Sequence, residues 1–196
     1  GIENTNYVII VNKKKYILTI FEKRVKEQDL PFFCELISLL NKSGFKCPMP
    51  LTNIENSPIS TFKGKKLTIL TFINGKSKEN LSNENCKDIG KEAARLHLLT
   101  SKFKIQRKNA LSIKSWRNMF ENIKDKCIKI HKDLPNLIEV NLKDIEKNWP
   151  SNLPSGIIHA DLFKDNIIFE NDKVSGVIDF TFSCNDYYAL EIAICF

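Results

Sequence analysis

Ile157-Ile158-His159-Ala160-Asp161-Leu162-Phe163-Lys164-Asp165-Asn166, followed shortly by Val177-Ile178-Asp179-Phe180, is the stretch on which the reading of this chain turns. An apolar strand runs into a His-x-Asp loop, an Asn follows that Asp, and a hairpin leads to a second Asp at the end of another strand. Phosphoryl transfer from ATP asks a protein for few chemical parts. One carboxylate orients the attacking hydroxyl, while an amide oxygen and a second carboxylate hold magnesium. Asp161 fits the first role, accepting or orienting a substrate hydroxyl proton. Asn166 and Asp179 offer the oxygen ligands that a hard cation prefers. Alone, Asp161 would read as a loop residue making an Asx-turn; the spacing to Asn166 and Asp179 turns it toward catalysis.

The surrounding composition sets bounds. At 196 residues with 42% hydrophobic content, the chain can bury a core of one or two domains. It begins at Gly1 rather than Met and stops in the apolar run Ile192-Ala193-Ile194-Cys195-Phe196, so it is read as a fragment lacking both ends. The net charge of +7 comes almost entirely from Lys scattered among Asn and Ile. That pattern looks like a composition bias, and no aromatic-basic interleaving marks a nucleic-acid surface. The six Cys are widely separated with no C-x-x-C pair, which suits reduced, buried thiols of a cytoplasmic protein. No apolar run is long enough for a membrane span, and no signal peptide is apparent.

Along the chain, Tyr7–Val11 and Tyr16–Phe21 read as a hairpin around Asn12-Lys13-Lys14-Lys15. Asp29-Leu30-Pro31 opens a helix whose apolar face is Phe32, Phe33, Leu36, Ile37, Leu39 and Leu40, and Gly44 ends it. Pro48 and Pro50 bracket a loop, then Ile59–Phe62 and Lys66–Phe72 form a second hairpin. The polar break Ile73-Asn74-Gly75-Lys76-Ser77 is a candidate hinge. Beyond it, Ser82 caps a helix with the stripe Cys86, Ile89, Ala93, Leu96 and Thr100, and helical stretches follow near Ser112–His131 and Leu134–Trp149. The predicted fold class is therefore α+β: an antiparallel-sheet lobe over residues 1–73, its first part missing, and a mainly helical lobe over residues 74–196, lacking its C-terminal part.

His159 and His97 read as structural side chains, and His131 carries no signal. No His/Cys/Asp spacing suggests zinc, and no Gly-x-Ser-x-Gly suggests a hydrolase. Gly1-Ile2-Glu3-Asn4-Thr5-Asn6-Tyr7 precedes a strand and could cover phosphates as a turn, although it carries a single Gly.

With these residues in place, the chain resembles the aminoglycoside-phosphotransferase-like kinases, a superfamily that also contains choline kinases and methylthioribose kinase. Protein kinases carry His-Arg-Asp-x-x-x-x-Asn and Asp-Phe-Gly at the same spacing. Here Ala160 and Thr181 replace the Arg and Gly, which points to the small-molecule relatives. Within them, Thr19, Asp29-Leu30-Pro31-Phe32-Phe33 and His159-Ala160-Asp161-Leu162-Phe163 are most similar to the homoserine kinases of this fold, the type unrelated to GHMP kinases. Glu3-Asn4-Thr5-Asn6-Tyr7, Tyr16–Glu22 and Ala94-Arg95-Leu96-His97 spread the likeness over the whole chain. The resemblance implies a bilobal protein-kinase-like fold with ATP and Mg²⁺ in the cleft. Asp161 would match the catalytic base and Asn166 and Asp179 the metal ligands. Gly1, Asn4, Thr5 and Asn6 would match the phosphate loop, Glu35 the helix acid, and Thr71, Phe72 and Ile73 the hinge that meets adenine.

Two positions depart from that pattern. Kinase-like folds place a Lys or Arg on the third strand, paired with a helix Glu, to grip the α- and β-phosphates. Here that position is Thr19, so the grip is expected from turn amides or metal; Thr19 is ordinary for the homoserine-kinase branch. Glu191 stands where the superfamily usually has Asp-Leu-Ala, a conservative structural change.

The implied reaction is ATP-dependent phosphorylation of L-homoserine to O-phospho-L-homoserine for threonine synthesis. An aminoglycoside, choline or methylthioribose acceptor is the first alternative; choline recognition would need an aromatic cage, which this sequence does not readily supply. A catalytically silent nucleotide-binding scaffold is the second, favoured by Thr19 and opposed by the intact Asp161, Asn166 and Asp179 set. A nucleic-acid binder has only the charge behind it. Small-molecule substrates, with no nucleic-acid or membrane partner, are the expectation.

Overall fold

The computed structural model describes residues 4–22 and 25–195. The chain forms two compact units, one of Gly1–Arg107 with Ser155–Phe196, the other of Lys108–Pro154.

In the larger unit, β1 (Asn4–Val11) and β2 (Lys14–Phe21) pair antiparallel, and β5 (Lys65–Thr71) lies against β2. β4 (Ser60–Phe62) and β3 (Pro50–Leu51) both pair with β5. Short turns set these registers. Asn12-Lys13 and Lys63-Gly64 all sit at positive φ, the two-residue geometry whose twist matches paired strands. The loop expected around Pro48 and Pro50 therefore contains a short strand: Pro50 cannot donate to a ladder, but at the sheet edge it need not. The turn expected over Gly1–Asn6 is also corrected where it is described. Asn4, Thr5 and Asn6 are strand residues opposite Phe21, Ile20 and Thr19, because the apolar β2 partner overrides the weak local preference of Asn. Gly1 lies outside the described residues.

Helix α1 (Leu30–Lys42) carries Pro31 in its first turn and buries Leu30, Phe32, Phe33, Cys34, Leu36, Ile37 and Leu40. It ends in a Schellman motif: Gly44, at φ +77°, donates to Asn41 O at 2.9 Å and Phe45 donates to Leu40 O at 2.9 Å. Helix α2 (Asn83–Leu99) starts at Ser82 with a reciprocal capping box, each partner bonded at 3.2 Å to the backbone of Ser82 or Asn85. Its expected stripe holds at Leu96 and Thr100, whereas Cys86 is exposed near the helix start.

The smaller unit is an antiparallel pair, α3 (Ile113–Ile130) and α4 (Leu134–Asn148). Phe120, Cys127 and Leu142 form its core, and Arg117 bridges Glu139 and Glu146 on the facing helix.

The chain then returns to the larger unit as β6 (Ser155–Ile158), the hairpin β7 (Ile167–Glu170) with β8 (Lys173–Val177), β9 (Cys184–Tyr187) and α5 (Tyr188–Cys195). β9, unforeseen in the sequence, pairs with β6 from Ser155↔Tyr187 to Ile158↔Cys184. One apolar core joins Phe21, the α1 face, Leu96, Ile157, Leu162, Ile167, Phe169 and Val177. That packing holds the sheet and the polar loops as one piece. No helix among the described residues is long and apolar enough to cross a membrane.

Candidate active site

β6 delivers the chain into the His159–Asp161 loop, and Glu191 on α5 shapes the delivery. His159 and Ala160 donate their backbone N–H groups to the two Glu191 carboxylate oxygens at 2.5 and 3.1 Å. Ala160 sits at φ 62°, a left-handed conformation that a non-glycine residue adopts only when its surroundings hold it there. Burial opposes the Glu191 charge, but His97, with Nε2 3.5 Å away, and the backbone donors outweigh it and keep the carboxyl below its ordinary pKa. His97 stacks on Tyr188 with ring centres 4.3 Å apart. The side chain of His159 is fully buried, its Nε2 3.0 Å from Ile178 O, and burial lowers its pKa. It is a neutral structural ring, as expected.

Asp161 and Asn166 meet directly. The Asn166 amide donates to Asp161 O and to Asp161 Oδ2, each at 2.8 Å. With both amide hydrogens directed at Asp161, Oδ1 is the end presented elsewhere. A single 3₁₀ turn over Lys164–Asn166 makes this possible, and Ile178 N donates to Asn166 O at 2.9 Å, tying the loop to the end of the hairpin. Asp179 comes next, at φ 61° and exposed, with Thr181 Oγ1 donating to its Oδ1 at 2.5 Å.

Asn166 and Asp179 line a cavity of about 340 Å³ whose other walls are the sheet, α1 and the 71–75 segment. Asn4, Asn6, Thr71, Phe72 and Ile73, predicted from the sequence, are on its wall. Asp161 stands one hydrogen bond behind it, through Asn166. Thr5 and Glu35 are not brought in: Thr5 bonds Glu22 at 3.1 Å, and Glu35 is exposed on α1 while Cys34 and Ile37 face the cavity. Burial pushes the Cys34 thiol up to about 11, so it lines the wall as a neutral group. Thr71 N donates to Met49 O at 2.9 Å and Thr71 Oγ1 accepts from Met49 N at 2.8 Å.

Arg107 was missed in the sequence. Its guanidinium donates to Asp29 Oδ2 at 2.9 Å, Ser183 O at 2.9 Å and Phe182 O at 3.2 Å, and lies 4.8 Å over the Phe33 ring. It thereby fixes the segment that follows Asp179. A lone Arg in a polar stretch gives no sequence signal of such a role.

The arrangement can place a hydroxyl at a carboxylate and an oxygen-bound cation beside a mostly apolar cavity. A family model described as the phosphotransferase enzyme family matches residues 1–196. Over the whole chain, identity is 42% with a homoserine kinase of Mesorhizobium japonicum and 39% with one of Bartonella henselae. The chain spans 61% of the length of each. Among solved structures, an amicoumacin kinase in complex with AMP-PNP, Ca²⁺ and its antibiotic superposes with a TM-score of 0.74 at 16% identity, covering 100% of this chain and 61% of that one. A spectinomycin phosphotransferase with ADP and spectinomycin gives 0.73 at 17% identity, with 98% and 64% covered. These two likenesses establish the shared fold.

Proposed function

The chain belongs to the phosphotransferase enzyme family, and from that premise we propose that the protein moves the γ-phosphoryl group of ATP to the side-chain hydroxyl of L-homoserine, yielding O-phospho-L-homoserine and ADP. The observation that carries the reaction type is the direct Asp161–Asn166 contact at 2.8 Å, with Asn166 and Asp179 sharing one cavity wall. The acceptor rests on the whole-chain similarity to homoserine kinases.

In this reading, residues 1–73 form the nucleotide-side lobe and residues 74–196 the lobe that bears the reacting groups. Adenine lies against Phe72 and Ile73, which line the cavity at the end of β5. Asp161 accepts the homoserine hydroxyl proton as the new oxygen–phosphorus bond forms, and the bond from the γ-phosphorus to the bridging oxygen breaks with its electrons going to ADP. The Asn166 contact holds the Asp161 carboxylate in one orientation.

The residues present fit Mg²⁺: Asn166 presents Oδ1, Asp179 exposes a carboxylate, and Mg²⁺ with nucleotide phosphates uses one or two protein oxygens rather than a full protein cage. Asn166 and Asp179 would hold it, and bound there it would neutralise charge on the transferring phosphates. Free cysteines throughout accord with a reducing cytoplasm.

Coupled ADP release by the full-length protein, against a panel of homoserine, choline, methylthioribose and aminoglycosides, tests the proposal. Homoserine should be the preferred acceptor, and Asp161→Ala should lower kcat about a hundredfold or more. Preference for another alcohol overturns the acceptor; full turnover in Asp161→Ala overturns the mechanism.

A further inference from the structure

Thr181 stands where the protein-kinase pattern has the glycine of Asp-Phe-Gly, and the reaction above gives it no part. A glycine there offers an N–H alone. Thr181 offers two donors, and Asp179 takes both on the same oxygen: the Thr181 N–H donates to Oδ1 at 3.3 Å and the hydroxyl donates to Oδ1 at 2.5 Å. The second distance lies in the short range of a hydroxyl bonded to a charged carboxylate. Asp179 thus has one oxygen tied within the chain, and Oδ2 is the oxygen these donors leave to a ligand. Asn166 is built alike, with its amide nitrogen tied to Asp161 and Oδ1 presented.

The frame around Thr181 is fixed on both sides. Phe180 is buried and packs edge-on against His159, with ring centres 4.7 Å apart. Arg107 holds the carbonyls of Phe182 and Ser183. Ser183 N donates to Phe180 O at 3.0 Å, closing the 3₁₀ turn Phe180–Phe182 that Asp179 caps. Thr181 is itself on the cavity wall with Asp179 and Asn166. Its β-branched side chain has few χ1 states, so the hydroxyl stays where the turn puts it. An exposed carboxylate without such bonds would rotate about χ2 and would have to be ordered at each binding event, a cost that a held carboxylate avoids.

We propose that Thr181 is a positioning residue for the metal carboxylate: by engaging Asp179 Oδ1, its hydroxyl sets the orientation in which Asp179 presents Oδ2 to the magnesium that accompanies the nucleotide. The inference rests on the phosphotransferase reading and deepens it. The hydroxyl is the part that matters, because any residue except proline supplies the N–H at this position. A consequence is that loss of the hydroxyl raises the Mg²⁺ requirement, whereas loss of the methyl group does not.

Titration calorimetry of the full-length protein with ADP at a series of Mg²⁺ concentrations tests this, because the Mg²⁺ level giving half of the maximal ADP affinity reads the metal site without turnover. Thr181→Val keeps the shape and the N–H but not the hydroxyl, and should need about tenfold more Mg²⁺. Thr181→Ser keeps the hydroxyl and should stay within about twofold of wild type. Thr181→Ala should follow Thr181→Val and guards against a folding defect confined to one variant. In an Asp179→Asn background the charge that the hydroxyl serves is gone, so Thr181→Val should change the requirement by less than about threefold. A wild-type Mg²⁺ requirement in both Thr181→Val and Thr181→Ala overturns the inference. So does a Thr181→Ser loss equal to that of Thr181→Val, which would mean packing. An undiminished loss in the Asp179→Asn background overturns it as well, since the hydroxyl would then serve the nucleotide directly. Failure of the wild-type protein to bind Mg·ADP overturns the phosphotransferase reading itself, a different result.

Discussion

Glu191 holds Ala160 by its backbone: one carboxylate oxygen accepts the Ala160 N–H at 3.1 Å, at a residue whose φ is 62°. The other oxygen accepts the N–H of His159, so one buried charge fixes both residues that lead into Asp161. Glu191→Gln turns one acceptor into a donor facing an N–H, and the variant should lose roughly 2–3 kcal/mol of stability and a large part of kcat. Because donors keep the folded-state pKa of Glu191 below that of the unfolded chain, its stabilisation is complete above the ordinary glutamate pKa of about 4.3 and is lost as pH falls through the folded value. Urea titrations from pH 7 to pH 3 should show the gap between wild type and variant closing at the acid end. A gap that stays constant or widens there would refute the assignment.

What the sequence made legible divides along a physical line. Helix α1 with its Gly44 stop, the Ser82 cap and the hairpins were readable because periodicity, capping and turn chemistry are local. β9 was not, since Cys184-Asn185-Asp186-Tyr187 has no apolar alternation and becomes a strand only by pairing with β6. Glu35 was placed at the site by analogy, yet the helical phase that turns Cys34 and Ile37 inward turns Glu35 out. Asp161, Asn166 and Asp179 were readable as a set because their spacing encodes the loop and hairpin that gather them. Glu191 and Arg107 act on backbone groups far away in sequence, which no pattern of residue types encodes.

Gly75 and Gly90 should respond oppositely to the same change. Gly75 has φ +121°, and a Cβ there would lie 2.3 Å from Phe169 O, a backbone atom held by the Lys76–Phe169 bridge. Gly75→Ala should cost more than about 2 kcal/mol and weaken nucleotide binding, because Gly75 and the adjacent Ile168 line the cavity. In α2, a Cβ on Gly90 meets nothing within 4 Å, so Gly90→Ala should stabilise by roughly 0.5–1 kcal/mol. Thermal melts of the two variants decide the matter, and a destabilised Gly90→Ala would contradict the packing described for that helix face.

Arg107→Lys tests the clamp behind Asp179. A Lys keeps the charge, but one ammonium cannot reproduce a planar fork that serves Asp29, Phe182 and Ser183 together. The variant should lose about 1–3 kcal/mol. The half-saturating Mg²⁺ concentration should also rise, since the segment following Asp179 is no longer fixed. Unchanged metal dependence, with the stability loss present, would limit Arg107 to a structural role.

Asp179 should reveal itself through metal rather than through folding. Its carboxylate is exposed and its protein contacts are the Thr181 N–H and hydroxyl, so Asp179→Asn removes charge while leaving the core untouched. The melting temperature should hardly move. Turnover at a fixed Mg²⁺ concentration should drop on the order of a hundredfold, and raising Mg²⁺ should restore part of it. Asn166→Leu should differ in kind: it removes the amide that orients Asp161, so added Mg²⁺ should not rescue it. Kinetics at several Mg²⁺ concentrations separate the two, and equal rescue of both variants would mean that Asn166 serves the metal alone.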